Sequence, residues 1–299
     1  MRHFLDVDDL STAELVEVLD RADVADPPAV LRGRGVALLF SKPSLRTRHS
    51  SEMAVIQLGG HPISVRPDEI GVNDRETGGD IARVLAGYHA LLGARVFAHA
   101  DLESMAEPDA IPVINLLSDD AHPCQALADL LTMRQELGGL TGRTVSWVGD
   151  FNNVARSLTT GAALCGIRIR IAAPHGYGPT EADVERLRVQ GAPEVDVTTK
   201  PHEAAESADA VHTDVWTSMG FEAEADARNR AFEGFLVDDS VMDAAGPDAI
   251  FMHCLPAHRG EEVAGSVIDG PRSRVIQQAH NRLHAFRGLA WWLTEVNAR

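Results

Sequence analysis

The sequence predicts an α/β chain of two parallel-sheet domains with helices on both faces of each sheet. Two observations carry this reading. Short β-branched or leucine-rich runs alternate with amphipathic segments along nearly the whole chain, and the alternation falls into two series joined by a glycine-rich stretch, "RQELGGLTGR" at residues 134 to 143. Such alternation lays strands side by side and parallel, because each helix carries the chain back across a face of the sheet. The length agrees, since 299 residues with 44% hydrophobic content suffice for two ordinary domains, each with its own core.

The first element is a surface helix, "STAELVEVLDRA", which opens on a capping box of Ser11 and Glu14 and sets Leu15, Val18, Leu19 and Ala22 at helical spacing. Strand-like runs follow at "GVALLF", "HPISV", "ARVFA" and "IPVINLL", separated by helical stretches such as "SSEMAVIQLGG" and "DIARVLAGYHALL". Beyond the joint come "RTVSWVGD", "IRIRIAA", "VDVTT", "DAVHTDV" and "AIFMHCL", again with helices between. A long helical pattern, "SRVIQQAHNRLHAFRGLAWWLTE" from about Ser273 to Glu295, can pack against either domain. The chain shows no internal repeat and no low-complexity segment.

Composition narrows the function. An excess of 44 acidic over 27 basic residues, a formal net charge of -17, argues against a nucleic-acid or anionic-membrane surface. The three cysteines, Cys124, Cys165 and Cys254, are too few and too scattered for a disulfide framework. Met1 is not followed by a charged stretch and apolar signal core, and no apolar run approaches the roughly 18 to 20 residues that span a bilayer. The expectation is a cytoplasmic protein with no membrane and no nucleic-acid partner.

Against that acidic background, "SKPSLRTR" at residues 41 to 48 concentrates a lysine, two arginines, a serine and a threonine behind the apolar run "GVALLF". This places positive charge at a strand's carboxyl end, leading into a helix that carries Met53, Ile56 and Gln57, where open α/β sheets bind ligands. A helix amino terminus offers unpaired N–H groups, Ser44 and Thr47 add hydroxyls, and Arg46 and Arg48 add forked guanidinium charge. Together they read as a phosphate clamp. The spacing is not that of a nucleotide P-loop, so a smaller phosphate compound fits better than ATP. The plainer reading, an exposed basic helix start paired with nearby acids, suits one arginine but not this cluster.

The stretches "SLRTR" at 44 to 48, Arg95 in "ARVF", "HPCQ" at 122 to 125, "GDFNN" at 149 to 153, "DVWTSMG" at 214 to 220, "HCLPAHRGEE" at 253 to 262 and "NRLHA" at 281 to 285 occur in one order. In wording and spacing they resemble the ornithine carbamoyltransferases, within the aspartate and ornithine carbamoyltransferase superfamily. The resemblance covers nearly the whole chain. It implies two doubly wound domains, residues 1–134 for carbamoyl phosphate with the C-terminal helix 273–299 packing back on it, and residues 135–272 for ornithine. It also implies trimers or multiples of trimers with sites at subunit boundaries, a place in arginine biosynthesis, and no metal or organic cofactor. The implied reaction moves the carbamoyl group from carbamoyl phosphate to the side-chain amine of L-ornithine, giving L-citrulline and phosphate.

The residue types suit that chemistry. Carbamoyl phosphate carries a dianionic phosphate and a carbonyl that gains negative charge under attack, so donors are needed at both places. By resemblance, Ser44, the Leu45 backbone, Arg46 and Thr47 hold phosphate, Arg95 bridges phosphate and carbonyl, His122 donates to the developing oxyanion, Gln125 reads the carbamoyl amide, and Arg282 reaches the carbamoyl group. Pro123 behind His122 suits a first helical turn, which leaves Gln125 one turn along. On the amino-acid side the resemblance assigns Asn153, Asp214, Ser218, the Met219 backbone, Cys254 and the Leu255 carbonyl. Gly149 alone does not make a dinucleotide fingerprint.

Two features invite other readings. His253, Cys254 and His258 are metal-ligand types, but a structural zinc site needs a second ligand couple that the sequence does not supply nearby. Cys254 is equally readable as a small apolar core residue, and for Cys165, inside an alanine-rich helix, that reading is preferred. Some positions depart from the family's usual pattern. Leu45 replaces a hydroxyl residue, Ser51 stands where Phe is common, and His280 stands where Glu is usual. The loop "RPDEIGVNDRETGGD" offers no glutamine to reach a neighbouring subunit; Arg66, Glu69 or Arg75 are the candidates to replace it. The alternatives are a specialised carbamoyltransferase for another diamino acid such as diaminopropionate, and a non-catalytic binding or assembly homologue.

Overall fold

The computed structural model describes every residue except 67, 68, 70, 73, 74, 218–221 and 299, and the side chain of residue 222. The chain divides into two compact units, Met1–Leu131 with His280–Arg299, and Thr132–Ala279.

The first unit is built on a four-stranded parallel sheet of β1 (Gly35–Phe40), β2 (His61–Val65), β3 (His89–Arg95) and β4 (Val113–Leu117), in the order β2-β1-β3-β4. The "GVALLF" run forms β1, a central strand whose last five residues are buried, as a continuous apolar run requires. Its helices include α1 (Thr12–Asp23), α2 (Leu45–Gln57), α3 (Gly78–Ala86) and α4 (His99–Ala106). Ser11 and Glu14 form the expected capping box of α1. Ala37, Leu39, Leu92, Ala94 and Val113 from the strands pack with Ile81, Leu102 and Met105.

Two expected elements are corrected: the strand expected at "ARVFA" instead runs over His89–Arg95 and ends where that run begins, and the helix before it is shorter. The stretch "DIARVLAGYHALL" is not one helix: α3 ends at Ala86 with Gly87 as its cap, and His89 already begins β3. The apolar run continues past the helix because β3 lies between β1 and β4, buried on both faces, so its leucines serve a sheet rather than a helical stripe. Gly93 keeps that packing close, since a Cβ would stand 3.0 Å from Leu38 Cδ2 and 3.2 Å from Leu116 Cδ1 and the two leucines would have to give way.

The second unit carries a five-stranded parallel sheet of β5 (Thr144–Val148), β6 (Arg168–Ala172), β7 (Val195–Thr198), β8 (Ala210–Thr213) and β9 (Ile250–His253), ordered β7-β6-β5-β8-β9. Two helices run across the boundary between the units, α5 (Pro123–Leu137) and, following α6 (Asn153–Leu164), α7 (Glu181–Val189), α8 (Pro201–Ala205), α9 (Ala225–Ala231), α10 (Asp239–Ala244) and α11 (Gly265–Ile268), the long α12 (Val275–Val296). Phe232, Phe235, Val241 and Val267 cover one face of the sheet around Val148, Val211 and Phe251. Trp147 stacks on His212 at 5.0 Å between ring centroids, holding β5 against β8.

The last turns of α12 lie in the first unit, against α1. Arg287 Nη2 donates to Ala22 O at 2.8 Å, and Arg21 pairs with Glu295 at 3.0 Å. Gly288 permits this approach, because a Cβ there would stand 2.5 Å from the Val18 carbonyl oxygen.

Each sheet reverses its direction of growth once, between β1 and β3 in the first unit and between β5 and β8 in the second. Ligands of open α/β sheets bind beyond the carboxyl ends of the strands at such a switch point. "SKPSLRTR" and Arg95 follow β1 and end β3, which pair Phe40 with Arg95; "GDFNN" and Asp214 follow β5 and β8.

Candidate active site

In the first unit the residues of the expected clamp lie together at the start of α2. Ser44 is the N-cap of α2, with extended backbone and its Oγ accepting from the Thr47 N–H at 3.3 Å. Leu45, Arg46 and Thr47 then occupy the first helical turn, where N–H groups lack intrahelical acceptors and the helix dipole is positive. Thr47 is buried, whereas the Leu45 side chain is 71% exposed. Ser51 has a role a phenylalanine could not fill: its buried Oγ donates to the Thr47 carbonyl at 2.8 Å and ties down the turn.

Three other segments meet Thr47. Arg282 Nη2, from α12, donates to Thr47 Oγ1 at 3.1 Å, and Arg95 Nη1, at the end of β3, lies 3.5 Å from the same oxygen. Arg282 Nη1 also donates to Gln125 Oε1 and stands 3.4 Å from His122 Nε2. Arg95, His122, Gln125 and Arg282 are all buried, so their charges and dipoles act with little screening by water. Burial, followed by the charges of Arg282, Arg95 and Arg46, holds the His122 imidazole well below its ordinary value of 6.5, which keeps it neutral at neutral pH. Thr47, Arg95, His122, Gln125 and Arg282, separated by up to 235 positions of sequence, thus share one site at the β1/β3 switch point.

The site also includes a residue that motif reading passed over. Gln125 Nε2 donates to Asp129 Oδ1 at 2.7 Å, and Asp129 is wholly buried one turn along α5. The signal in the sequence was an acid four residues beyond Gln125, on the same helical face. Beside the clamp, Lys42 lies 4.2 Å above the Phe97 ring and lines a small basic pocket with Ser44, Arg48 and Arg66. Arg66 is therefore the loop candidate that stands next to the clamp; it also pairs with Glu69.

In the second unit, Asp214 follows β8 and Cys254 follows β9, strands in register through Thr213 and His253. Cys254 Sγ donates to Asp214 Oδ1 at 3.1 Å, and the other carboxylate oxygen accepts from Asn152 Nδ2 at 2.9 Å. Asn153, the residue assigned from sequence, is the first residue of α6; Asn152 is the N-cap, its Oδ1 accepting from the Val154 and Ala155 N–H groups. The "NN" doublet concealed a division of labour that only the helix start resolves. Ser218 and Met219 lie outside the described residues.

The "HCLPAHRGEE" segment is organised by a buried acid. His253 Nδ1 accepts from the Leu255 N–H at 2.9 Å, so its other nitrogen carries the hydrogen that faces Glu262 Oε1 at 3.1 Å. The same oxygen accepts from the His258 N–H at 2.6 Å. Leu255 has a left-handed backbone with φ 59°, held by these contacts. Among the described residues two groups have ligand-type atoms within 4.8 Å of one another, Asp214 with His253 and Cys254, and His258 with Glu261 and Glu262. Both nitrogens of His253 are already engaged in hydrogen bonds, which accounts for its burial without an ion. Cys165 is a free, buried thiol whose value burial raises to about 12, in keeping with a core residue.

No described helix is long and apolar enough to cross a membrane. Residues 2–135 match the family described as aspartate/ornithine carbamoyltransferase, carbamoyl-P binding domain, and residues 141–293 match the Asp/Orn binding domain of the same family. An ornithine carbamoyltransferase of Acidothermus cellulolyticus is 46% identical over 306 residues, covering 99% of this chain and 97% of its own length. Among solved structures, ornithine carbamoyltransferase from Pyrococcus furiosus is similar with a TM-score of 0.91 and 41% identity, over 97% of this chain and 96% of that one. The anabolic ornithine carbamoyltransferase from Campylobacter jejuni gives a TM-score of 0.93 at 33% identity, with both chains fully covered.

Proposed function

The chain belongs to the aspartate/ornithine carbamoyltransferase family, and from that premise we propose that it transfers the carbamoyl group of carbamoyl phosphate to the side-chain amine of L-ornithine, releasing L-citrulline and phosphate. The observation that carries the reading is the meeting of Arg95, Arg282, His122 and Gln125 around Thr47 at the start of α2. A phosphate dianion suits the α2 N-terminus with Ser44, the Leu45 N–H, Arg46 and Thr47. The carbamoyl carbonyl then falls to Arg95, His122 and Arg282. A neutral His122 donates one hydrogen to the oxygen as it gains charge, and the guanidiniums supply the positive field. Gln125 reads the carbamoyl nitrogen.

The amino acid is the part of Asn153, Asp214, Ser218, Met219, Cys254 and Leu255. Asp214 suits an ammonium group, and the Leu255 carbonyl is an acceptor for an amine hydrogen. An unperturbed alkylamine titrates near ~10.4 and must lose a proton before it attacks. Attack on the carbamoyl carbon gives a tetrahedral intermediate whose collapse expels phosphate, with no covalent bond to the protein at any step. The amine proton leaves with the phosphate, which is the stronger base once its bond to carbon breaks. The same reading includes assembly into trimers, a cytoplasmic location and service in arginine biosynthesis.

The test offers ornithine, lysine, diaminobutyrate, diaminopropionate, putrescine and aspartate with carbamoyl phosphate and measures phosphate release. Ornithine is expected to win clearly. If the α-amino-acid end and the carbamoyl carbon are both fixed, side-chain length decides whether nitrogen reaches the attack distance of about 3 to 3.5 Å. A faster reaction with diaminopropionate would move the assignment to another diamino acid, and no phosphate release with any amine would leave a binding protein.

A further inference from the structure

Gln125 stands between an obligate donor and an obligate acceptor. Arg282 presents N–H groups only, and the Asp129 carboxylate accepts only. The two ends of a glutamine amide have nearly the same shape, so its direction is set by what surrounds it. Here both neighbours demand one direction: Oε1 faces Arg282 Nη1, and Nε2 donates to Asp129 Oδ1 at 2.7 Å. Asp129 has 0% exposure and sits four residues along α5, behind Gln125.

The chemistry of the substrate gives this direction a purpose. The nitrogen of a carbamoyl group is amide-like: it donates hydrogens and is a poor acceptor, so its reader must present an oxygen. We infer that Asp129 is a positioning residue, which spends the Gln125 N–H on itself and so turns the Gln125 carbonyl oxygen toward the reacting group. Asp129 thereby sets the preference for an acyl phosphate bearing NH2 over one bearing a methyl group. It does this without touching the substrate. The inference rests on the proposed role of Gln125 as reader of the carbamoyl nitrogen.

Acetyl phosphate is the probe, because it matches carbamoyl phosphate in charge and outline and replaces NH2 with CH3. The measured quantity is the ratio of its inhibition constant to the dissociation constant of carbamoyl phosphate. Gln125→Ala should collapse the ratio. Asp129→Leu, which keeps the branched outline and removes the acceptor, should lower it about tenfold, on the scale of one hydrogen bond. Asp129→Asn, whose Oδ1 can still accept from Gln125 Nε2, should keep most of it. A thermal melt of each variant reports folding alongside.

If Gln125→Ala leaves the ratio unchanged, the reading of Gln125 fails and takes the inference with it. If Gln125→Ala collapses the ratio but folded Asp129→Leu keeps it, the inference about Asp129 fails alone. Should Asp129→Leu not fold, the smaller Asp129→Ala decides: a lowered ratio supports the inference, and a ratio equal to that of the parent protein overturns it.

Discussion

Cys254 Sγ and Asp214 Oδ1 lie 3.1 Å apart, joined as donor and acceptor although 40 residues separate them in the chain. Their meeting follows from topology, because each is the first residue beyond its strand and the two strands are adjacent and in register. Asn152 holds the opposite oxygen of the same carboxylate. Both oxygens are thus engaged by side chains from other strand ends and helix starts, whereas an acid that merely capped a turn would bond to its own local backbone.

Asn152→Asp separates the two tasks of that residue. The cap of α6 survives, since the Asp oxygens still accept from the Val154 and Ala155 N–H groups, but the donor to Asp214 becomes a like charge. The expected outcome is a rise of about tenfold or more in KM for ornithine, with carbamoyl phosphate binding and the melting temperature little changed. Steady-state kinetics against each substrate check it, and equal losses for both substrates would count against the assignment.

At the clamp, Arg46→Ala should abolish turnover and weaken carbamoyl phosphate binding, as charge-assisted contacts to phosphate are lost. Leu45→Thr should be tolerated, because the Leu45 side chain is exposed and its backbone N–H is unaffected. Direct titration with carbamoyl phosphate distinguishes the two, and full activity in Arg46→Ala would reject the clamp.

His122 gives a signed pH dependence of stability. Its folded value is depressed by burial and by Arg282, Arg95 and Arg46, while the unfolded chain retains the ordinary 6.5. Between the two values the unfolded chain binds the extra proton, so stability rises with pH across that window and levels off above about 6.5. His89 and His284 are lowered by burial too and add the same sign. Urea midpoints of the parent protein and His122→Gln between about pH 5 and 8 should therefore converge on the acid side, where the parent alone loses this share. Parallel curves would refute it.

Much of this site could be read from sequence because its chemistry sits at strand ends. "SLRTR" and Asp214 each follow an apolar run, so local pattern alone places them beyond a sheet's carboxyl edge, whereas Arg95 ends its strand only because β3 runs over His89–Arg95 and not over "ARVFA". What escaped was of two kinds. The extent of β3 was missed because "DIARVLAGYHALL" satisfies a helical period past the point where Gly87 stops the helix, and burial between two strands leaves no alternation to contradict it. Asn152 and Asp129 were missed because neither carries the reacting group's charge. Each acts through a hydrogen bond to a motif residue, and such a partner is defined by geometry across a helix turn or between strand ends, not by adjacency.

The last prediction concerns Gln278, near the start of α12 in the second unit. Its Oε1 accepts from the His253 N–H at 2.9 Å, and its Nε2 stands 3.1 Å from His212 Nε2. The His212 ring hydrogen on Nδ1 is directed at the Thr213 carbonyl, so Nε2 is the acceptor and Gln278 the donor. One buried amide thus joins β8 two residues before Asp214 to β9 one residue before Cys254. Gln278→Leu keeps the volume and removes both bonds, leaving the His253 N–H and the His212 nitrogen unsatisfied in the interior, at about 1 to 3 kcal/mol of stability for each such group. Because the displaced strand ends carry Asp214 and Cys254, KM for ornithine should rise more than KM for carbamoyl phosphate. Gln278→Glu can still accept from the His253 N–H but no longer donates to His212 Nε2, so its loss should be the smaller of the two. Kinetics of both variants against each substrate check this, and a uniform loss for both substrates would reduce Gln278 to a packing residue.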